Sequence, residues 1–262
     1  MTPDQIAAAG GSLYLAEHSR MQRGLLSAEY PSATMDDAYA VQRAFIDRKL
    51  AAGRQVIGWK IGLTSRAMQQ QLNITTPDSG VLLDDMAFAD GCTIPANRFI
   101  APRIEAEIAF VMKAPLDGEV TRDEVLAATD YVAPALEILD TRILRTQDGK
   151  TRTIIDTISD NAANAGIVMG NARHDPAMNL RWVGAIVKRD GVVEETGLGA
   201  GVLDDPITGI IWLARRMGQY GQRIEPGQII LSGSFIRAME CPSGAHIDAD
   251  FGPFGHLTCT FA

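Results

Sequence analysis

The stretch Arg103-Ile-Glu-Ala-Glu-Ile-Ala-Phe-Val111 has an apolar residue at every second position from Ile104 to Phe110. This period of two predicts a β-strand whose apolar face carries Ile104, Ala106, Ile108 and Phe110. Glu105 and Glu107 then share the opposite face. The pattern therefore predicts a strand that buries one face in a core and carries two carboxylates on the other.

A third carboxylate, Glu137, stands in the run Tyr131-Val-Ala-Pro-Ala-Leu-Glu-Ile-Leu139, where almost every neighbour is apolar. A buried carboxylate without a partner is costly. If this run is a strand beside the first one, Glu105, Glu107 and Glu137 converge and require a cation. Oxygen ligands alone favour Mg²⁺ or Mn²⁺ over zinc. The alternative is a half-exposed strand with two solvated glutamates and an unrelated, salt-bridged Glu137.

The composition is that of a globular chain with a sizeable core: 262 residues, of which 46% are hydrophobic and 21% charged. The net charge of −8, without a basic block, argues against nucleic acid or an anionic membrane surface as a partner. No apolar run is long enough to span a bilayer, and the N-terminus lacks the apolar core of a signal peptide. The three cysteines form no C-x-x-C pair, so we expect buried thiols in a cytoplasmic protein.

Two helices are predicted near the N-terminus. Thr2-Pro-Asp-Gln5 combines an N-cap, a proline at the first helical position and a capping-box glutamine, and this helix should run to about Gly24. A second signal, Thr34-x-x-Asp37, opens a helix that should stop at Gly53. We therefore divide the chain into an N-terminal helical region, residues 1–55, and a β-rich domain, residues 56–262.

The run Val56-Ile-Gly-Trp-Lys-Ile-Gly-Leu63 is predicted to be a strand in which two glycines flank Lys60 on its own face. The glycines leave room beside Lys60 for a ligand. The alternative is an edge strand whose lysine points to water. Pro77-Asp-Ser-Gly80 is a turn by composition, and in that interpretation Asp78 serves only to form the turn.

From Val81 onward, short strands are separated by Asp-Gly turns at residues 90–91, 117–118 and 190–191, and helices are predicted to start at Thr121 and Asp205. The segment 142–150 is polar and basic, which is typical of a mobile loop beside a site or of an ordinary solvated connection. The chain has no G-x-S-x-G elbow, Walker loop, H-E-x-x-H motif or G-x-G-x-x-G motif between a strand and a helix.

Six motifs keep a common order along essentially the whole chain: Gly58-Trp-Lys-Ile-Gly-Leu-Thr-Ser65, Pro77-Asp-Ser-Gly80, Arg103-Ile-Glu-Ala-Glu107, Pro134-Ala-Leu-Glu137, Ile158-Ser-Asp-Asn-Ala-Ala-Asn-Ala-Gly166 and Ile229-Ile-Leu-Ser-Gly-Ser234. Together they resemble the fumarylacetoacetate hydrolase superfamily, in its hydratase/decarboxylase branch for 2-oxo acids. The resemblance implies an α+β fold, the mixed β-sandwich roll of the superfamily's C-terminal domain with a small N-terminal helical region. It also implies a homo-oligomer.

The implied activity is Mg²⁺-dependent hydration (Mn²⁺ being the other metal considered) of a small molecule, a seven-carbon 2-oxo-4-ene dicarboxylic acid. The roles of the family fall on metal ligands Glu105, Glu107 and Glu137, catalytic residues Lys60 and Asp78, and substrate contacts Leu63, Ser159 and Ser234. The alternatives are hydration of a five-carbon dienoate, decarboxylation on the same metal, and a metal-stabilised interaction protein. A carbon–carbon hydrolase would require a His–Glu pair, and no histidine lies near these motifs.

The basic segment suggests why the substrate would be a diacid. A distal carboxylate must find compensation of its own or remain in water. Arginine suits a carboxylate because its planar fork donates two hydrogen bonds. We predict that Arg142 or Arg145, which follow Glu137 closely, meets that carboxylate when the loop closes.

Overall fold

In a computed structural model, which describes residues 1–71 and 74–262 and gives only the backbone at 67, 68 and 71, the chain forms helices and mostly short strands. The helices are α1 Pro3–Ser19, α2 Leu26–Glu29, α3 Met35–Ala51, α4 Arg66–Gln71, α5 Arg122–Ala128, α6 Ile154–Ser159 and α7 Pro206–Gly218. The strands are β1 Val56–Gly62, β2 Asp78–Leu83, β3 Ala87–Ala89, β4 Cys92–Ile94, β5 Arg103–Met112, β6 Thr129–Leu139, β7 Thr146–Gln147, β8 Lys150–Thr151, β9 Asn164–Met169, β10 Gly184–Arg189, β11 Val192–Leu198, β12 Ile229–Ser234, β13 Met239–Glu240, β14 His246–Asp250 and β15 His256–Phe261.

The alternating stretch forms β5, at the middle of an eight-stranded mixed sheet ordered β2-β1-β12-β5-β6-β9-β3, with β13 added beside β5. A second sheet has the order β11-β10-β14-β15-β4. The apolar face of β5 packs with side chains of this second sheet and of α7 into the main core. This confirms the predicted α+β fold with a mixed sandwich, and it leaves the carboxylate face of β5 turned away from that core.

The N-terminal helices begin where their capping boxes predict, at Thr2 and Thr34. They pack against β2 through a second apolar cluster that includes Val81 and Leu83. Helix α1 ends at Ser19, before the predicted end near Gly24, because Arg20 adopts a left-handed φ of 55°. The backbone of Arg23 then hydrogen-bonds to residues 142 and 144, which a helix could not do.

Residues 78–80 are not a turn, which corrects the prediction from composition. They begin β2, which pairs antiparallel with β1 and places Asp78 opposite Gly62 and Gly80 opposite Lys60. On its other side β1 pairs with β12. Lys60 therefore lies on an interior strand with 3% exposure, and the edge-strand alternative is excluded.

The remaining predictions concern the loops, cysteines and membrane. The basic segment contains the small β7–β8 hairpin rather than a patternless loop. All three cysteines are free; Cys241 and Cys259 are buried and Cys92 is half-buried. Within the described residues, no helix combines the length and the apolar character needed to traverse a membrane.

Candidate metal centre and active site

Strand pairing brings three glutamates together. Glu105 of β5 lies directly opposite Glu137 of β6, and Glu107 is two residues further along β5 on the same face. One carboxylate oxygen from each of the three lies within 4.8 Å of the other two. The cluster predicted from alternation and from the apolar surroundings of Glu137 is therefore formed in the structure.

The surroundings of these carboxylates fit a cation. Glu137 is 0% and Glu107 1% exposed; among the described residues, Glu137 Oε2 has no hydrogen-bond partner and Oε1 has only the ammonium group of Lys60, at 3.3 Å. Glu107 accepts one hydrogen bond, from the backbone N–H of Gly233 at 2.8 Å. Buried carboxylate oxygens without donors are unfavourable unless a positive charge satisfies them. An all-oxygen set of this kind suits Mg²⁺ or Mn²⁺.

The pKa values show how strongly the bare cluster disfavours three negative charges. Burial raises the pKa of Glu105 to about 8, and the nearby Glu137 adds to the shift. Burial and Glu137 raise the pKa of Glu107 well above its usual range. Burial also raises the pKa of Glu137, although the charge of Lys60 opposes this shift. A divalent cation would remove the repulsion and keep the three groups ionised.

Lys60 stands beside the cluster on the same sheet face. Its Nζ lies 3.3 Å from Glu137 Oε1 and donates a hydrogen bond to the carbonyl of Ala162 at 3.1 Å. Burial alone would lower the pKa of Lys60, but Glu137 and Asp78 outweigh it and hold the pKa above its ordinary value. The side chain is thus a buried ammonium group within reach of the metal ligands.

Asp78 completes this group from β2. It is 1% exposed, and within the part of the chain that the structure describes neither of its oxygens has a hydrogen-bond partner. Burial raises the pKa of Asp78, and the charges of Lys60 and Arg152 oppose this shift. A Cβ at Gly62 would lie 2.2 Å from Asp78 Oδ1 and 2.9 Å from Lys60 Nζ, so only glycine leaves space for both groups.

The sheet face that carries the glutamates has an apolar part and a polar part. An apolar floor adjoins the carboxylates and consists of Leu82, Ala109, Ala135, Ile167 and Leu231. Glu105 is half-buried whereas the other two glutamates are buried, so the cluster opens at its Glu105 end. Arg103 precedes Glu105 by two residues and lies on the same face of β5.

The three other predicted substrate contacts, Ser234, Ser159 and Leu63, lie on different elements of the structure. Ser234 lies opposite Glu107, but its hydroxyl donates to the carbonyl of Ile236 at 2.8 Å. Ser159 is buried at the end of α6. Leu63 directly follows β1 with a left-handed φ of 56°. Their roles toward a substrate stay predictions.

The structure places the predicted substrate contact Arg142 inside the protein. This side chain is 1% exposed and pairs with the carboxylate of Asp160 inside the protein. Its Nη2 donates to the carbonyls of Asp160 at 2.7 Å and Asn164 at 3.2 Å. Because its donors are engaged with the protein, the geometry gives no support to contact between Arg142 and a substrate carboxylate, and that contact stays a prediction.

Arg145 is placed differently. It is half-buried and lines a cavity of about 440 Å³ together with Arg103 and Arg189. Arg103 pairs with Glu240 at 2.6 Å and Arg189 with Glu194 at 2.5 Å, whereas no acid within the described ranges lies within 4.0 Å of the Arg145 guanidinium. Burial lowers the pKa of Arg145, and the charges of Arg103 and Arg152 lower it further.

Three groups near the site were not predicted from the sequence: the side chain of Arg103, the carbonyl of Ala162 and the N–H of Gly233. The period of two that paired Glu105 with Glu107 also places Arg103 on that face, so this residue could have been found. The carbonyl of Ala162 and the N–H of Gly233 could not, since a backbone group carries no signal in its residue type.

Comparisons with known proteins show what the chain is similar to. No family model matches the chain. The chain is 48% identical over 250 residues to 2-oxo-hept-4-ene-1,7-dioate hydratase of Escherichia coli, covering 94% of each. It is 43% identical over 236 residues to a 2-keto-4-pentenoate hydratase of Paraburkholderia xenovorans, covering 89% of this chain and 86% of that one.

A solved structure resembles the whole chain. The 4-oxalocrotonate decarboxylase from Pseudomonas putida G7, complexed with magnesium and adipate, matches with a TM-score of 0.94 and 32% identity. The match covers 100% of this chain and 99% of that one. Hydratases and a magnesium-bound decarboxylase are therefore similar to this chain over most of its length.

Proposed function

The chain belongs to the hydratase/decarboxylase branch of the fumarylacetoacetate hydrolase superfamily, and on that premise we propose that it hydrates 2-oxohept-4-ene-1,7-dioate to 4-hydroxy-2-oxoheptane-1,7-dioate. Such a step belongs to the breakdown of the aromatic acid homoprotocatechuate. The observation that carries the proposal is the buried cluster of Glu105, Glu107 and Glu137, which faces Lys60 and Asp78. The 48% identity to a hydratase of this substrate supports it.

Glu105, Glu107 and Glu137 would hold a divalent cation, Mg²⁺ by preference and Mn²⁺ as the other candidate. When bound, this ion supplies Lewis-acid stabilisation of negative charge on the 2-oxo oxygen of the substrate. The fully buried apolar side chains beside the glutamates would keep bulk water away from that side of the cluster.

The reaction needs two proton movements before water adds. A proton leaves C3 and another arrives at C5, which moves the double bond to C3–C4, in conjugation with the ketone. Water then adds at C4, and C3 regains a proton. Asp78 is suited to the base in these steps because burial raises its pKa and so strengthens its carboxylate as a base. Lys60, held as an ammonium group by its acidic neighbours, is suited to donate a hydrogen bond or a proton.

Arg145 is our candidate for recognising the distal carboxylate. The glutamate cluster opens at Glu105, and Arg103 stands two residues away, about 6.6 Å along the strand. Arg145 lines the cavity beside Arg103 and lacks an acidic partner among the described residues. Glu240 also lines this cavity and pairs with Arg103, so Arg145 is the arginine that we propose for a carboxylate arriving from the Glu105 end, which would favour a dicarboxylic over a monocarboxylic substrate.

A decarboxylase is the second candidate, because the 4-oxalocrotonate decarboxylase shares the fold at TM-score 0.94. Analysis of the product separates the candidates. The protein, Mg²⁺ and 2-oxohept-4-ene-1,7-dioate should give the 4-hydroxy acid by NMR, whereas 4-oxalocrotonate should release little CO₂. Rapid CO₂ release without hydration would support the decarboxylase instead.

We also propose that the chain forms a homo-oligomer. Large exposed apolar side chains lie on or beside the β10–β11 hairpin at Trp182, Ile186, Val192, Val193 and Leu198. Strand β11 is the edge of its sheet, so one side of its backbone is unpaired. A second copy could cover both features. Sedimentation should show an oligomer that Trp182→Glu weakens; a monomeric wild type would contradict the proposal.

A further inference from the structure

Three successive residues with left-handed backbone lie next to Lys60. Asn161, Ala162 and Ala163 have φ values of 55°, 52° and 58°. Side chains other than glycine disfavour this region, and a run of three persists only where the surroundings hold it. The turn formed by residues 161–163 is therefore imposed by its contacts.

A single buried guanidinium ties the two ends of this turn together. Arg142 donates to the carbonyl and the carboxylate of Asp160 before the turn, and to the carbonyl of Asn164 after it. Its own backbone N–H donates to Asp160 Oδ2 at 2.8 Å. Arg142 is 1% and Asp160 0% exposed, so water does not compete for these bonds.

Two asparagines connect the turn to strand β2 by hydrogen bonds. Asn161 accepts from the N–H of Val81 at 2.7 Å and donates to its carbonyl at 2.9 Å, and Asn164 donates to the same carbonyl at 2.9 Å. A Cβ at Gly80 would lie 2.4 Å from the carbonyl oxygen of Asn161, so only glycine allows this approach. Gly80 is the residue opposite Lys60, and the turn therefore sits directly beside the lysine.

The result is a fixed acceptor for the lysine. The carbonyl of Ala162, at the centre of the turn, accepts from Lys60 Nζ at 3.1 Å. An ammonium group has three N–H donors. One is held by Ala162 and a second can face Glu137 Oε1 at 3.3 Å, which leaves the third for a substrate or water.

We propose that Arg142 and Asp160 are positioning residues for the reaction, which act through the left-handed turn to aim the ammonium group of Lys60. The proposal rests on the role given to Lys60 under the proposed function. It assigns Arg142 a task within the protein in place of contact with a substrate. It differs from a purely structural ion pair in one respect: loosening the turn should slow the reaction without weakening metal binding or the fold.

Two variants test this difference. Ala162→Gly keeps the hydrogen bonds that Arg142 and the two asparagines make at the turn, loses only the buried methyl group of Ala162, and widens the range of backbone angles open to the turn. Glycine tolerates the left-handed φ, so the protein should still fold. Arg142→Lys keeps the positive charge but loses the planar guanidinium group, which donates several hydrogen bonds at once. Because small displacements of catalytic groups can cost as much as 10²-fold, kcat should fall about 10–100-fold in each. KM, Mg²⁺ affinity and the melting temperature of Ala162→Gly should be unchanged.

Asp190→Gly is the control, because Asp190 also has a left-handed φ, 53°, but lies in the β10–β11 hairpin of the other sheet; this change also gives up the hydrogen bond that Asp190 Oδ1 accepts from the N–H of His246. It should leave kcat unchanged. If Ala162→Gly retains full kcat while Lys60→Met loses activity, the positioning proposal is overturned and the proposed function stands. If Lys60→Met is fully active, the catalytic role proposed for Lys60 is wrong, and the positioning proposal that rests on it is overturned as well. If kcat falls only together with Mg²⁺ affinity or stability, the turn is merely structural. Should Arg142→Lys not fold, Ala162→Gly decides.

Discussion

At the scale of the residue, Lys60 is the side chain whose environment most constrains its chemistry. Replacing it with methionine keeps the stem and removes the donor and the charge. We expect Lys60→Met to lower kcat by about 10²–10⁴-fold, the usual contribution of a positioned proton donor. Mg²⁺ affinity should be kept or increased, since an ammonium group near the ion repels it. Steady-state kinetics and calorimetric titration of Mg²⁺ measure the two effects.

Lys49 provides the control for that experiment. It is also buried and pairs with an acid, Glu17, at 2.7 Å, but on the helices of the N-terminal layer. Lys49→Met should therefore reduce stability without reducing kcat. A Lys60→Met enzyme with normal kcat and raised KM would assign Lys60 to uniform substrate binding and would refute its role in proton transfer.

The glutamates could be predicted from sequence and the role of Arg142 could not. Alternation placed Glu105 and Glu107 on one face, and the apolar run around Glu137 indicated burial; both signals are local. The burial of Arg142 depends on Asp160, which lies eighteen positions away in the sequence. It also depends on a turn whose backbone geometry cannot be predicted from its residue types. An exposed basic loop and a buried ion pair look alike in sequence until that partner is known.

Among the secondary-structure elements, strand β2 is one that amino-acid composition predicted wrongly, as a turn. Proline, aspartate, serine and glycine favour turns, yet Asp78 and Gly80 form ladder pairs with β1. Here glycine is needed for the close approach of the turn at residues 161–163. Tertiary pairing overrode a local preference at the site itself, where local rules are most often broken.

The β7–β8 hairpin and the residues before it carry the prediction about substrate choice. A charged hydrogen bond contributes about 1.5–3 kcal/mol, so Arg145→Ala should lower kcat/KM for the seven-carbon diacid by about 10–150-fold. It should leave 2-hydroxypenta-2,4-dienoate, which has no second carboxylate, unaffected. Competitive assays with both substrates measure the ratio.

Lys150→Ala is the control, because Lys150 is an exposed cation in the same hairpin. It should leave the substrate ratio unchanged. If Arg145→Ala also leaves the ratio unchanged, or if the wild type prefers the five-carbon substrate, recognition of the diacid by Arg145 is wrong.

At the scale of the whole molecule, the metal cluster links stability to pH. Burial and Glu137 raise the pKa of Glu105 from 4.5 to about 8, so without metal the native state keeps a proton that the unfolded state has released. Stability of the metal-free protein should then fall as pH rises between these values. Protons compete with Mg²⁺ over the same range, so the metal binds more tightly at high pH.

The increase in melting temperature caused by Mg²⁺, relative to chelator at the same pH, should therefore be larger at pH 8.5 than at pH 6. Comparing the two conditions at each pH cancels the titration of groups remote from the cluster. An increase that is equal at both pH values, or greater at the lower one, would contradict the assignment of the three glutamates as ligands.

We expect hydration to depend on a cation held by Glu105, Glu107 and Glu137. The most direct test follows conversion of 2-oxohept-4-ene-1,7-dioate by NMR, with wild type and Glu137→Gln, each chelated and then titrated with Mg²⁺. Glutamine keeps the volume and removes one charge, so the variant should fold. We predict that Mg²⁺ restores 4-hydroxy-2-oxoheptane-1,7-dioate formation in the wild type and not in Glu137→Gln. Full turnover by the chelated wild type, or by Glu137→Gln, would show that hydration does not depend on this cluster.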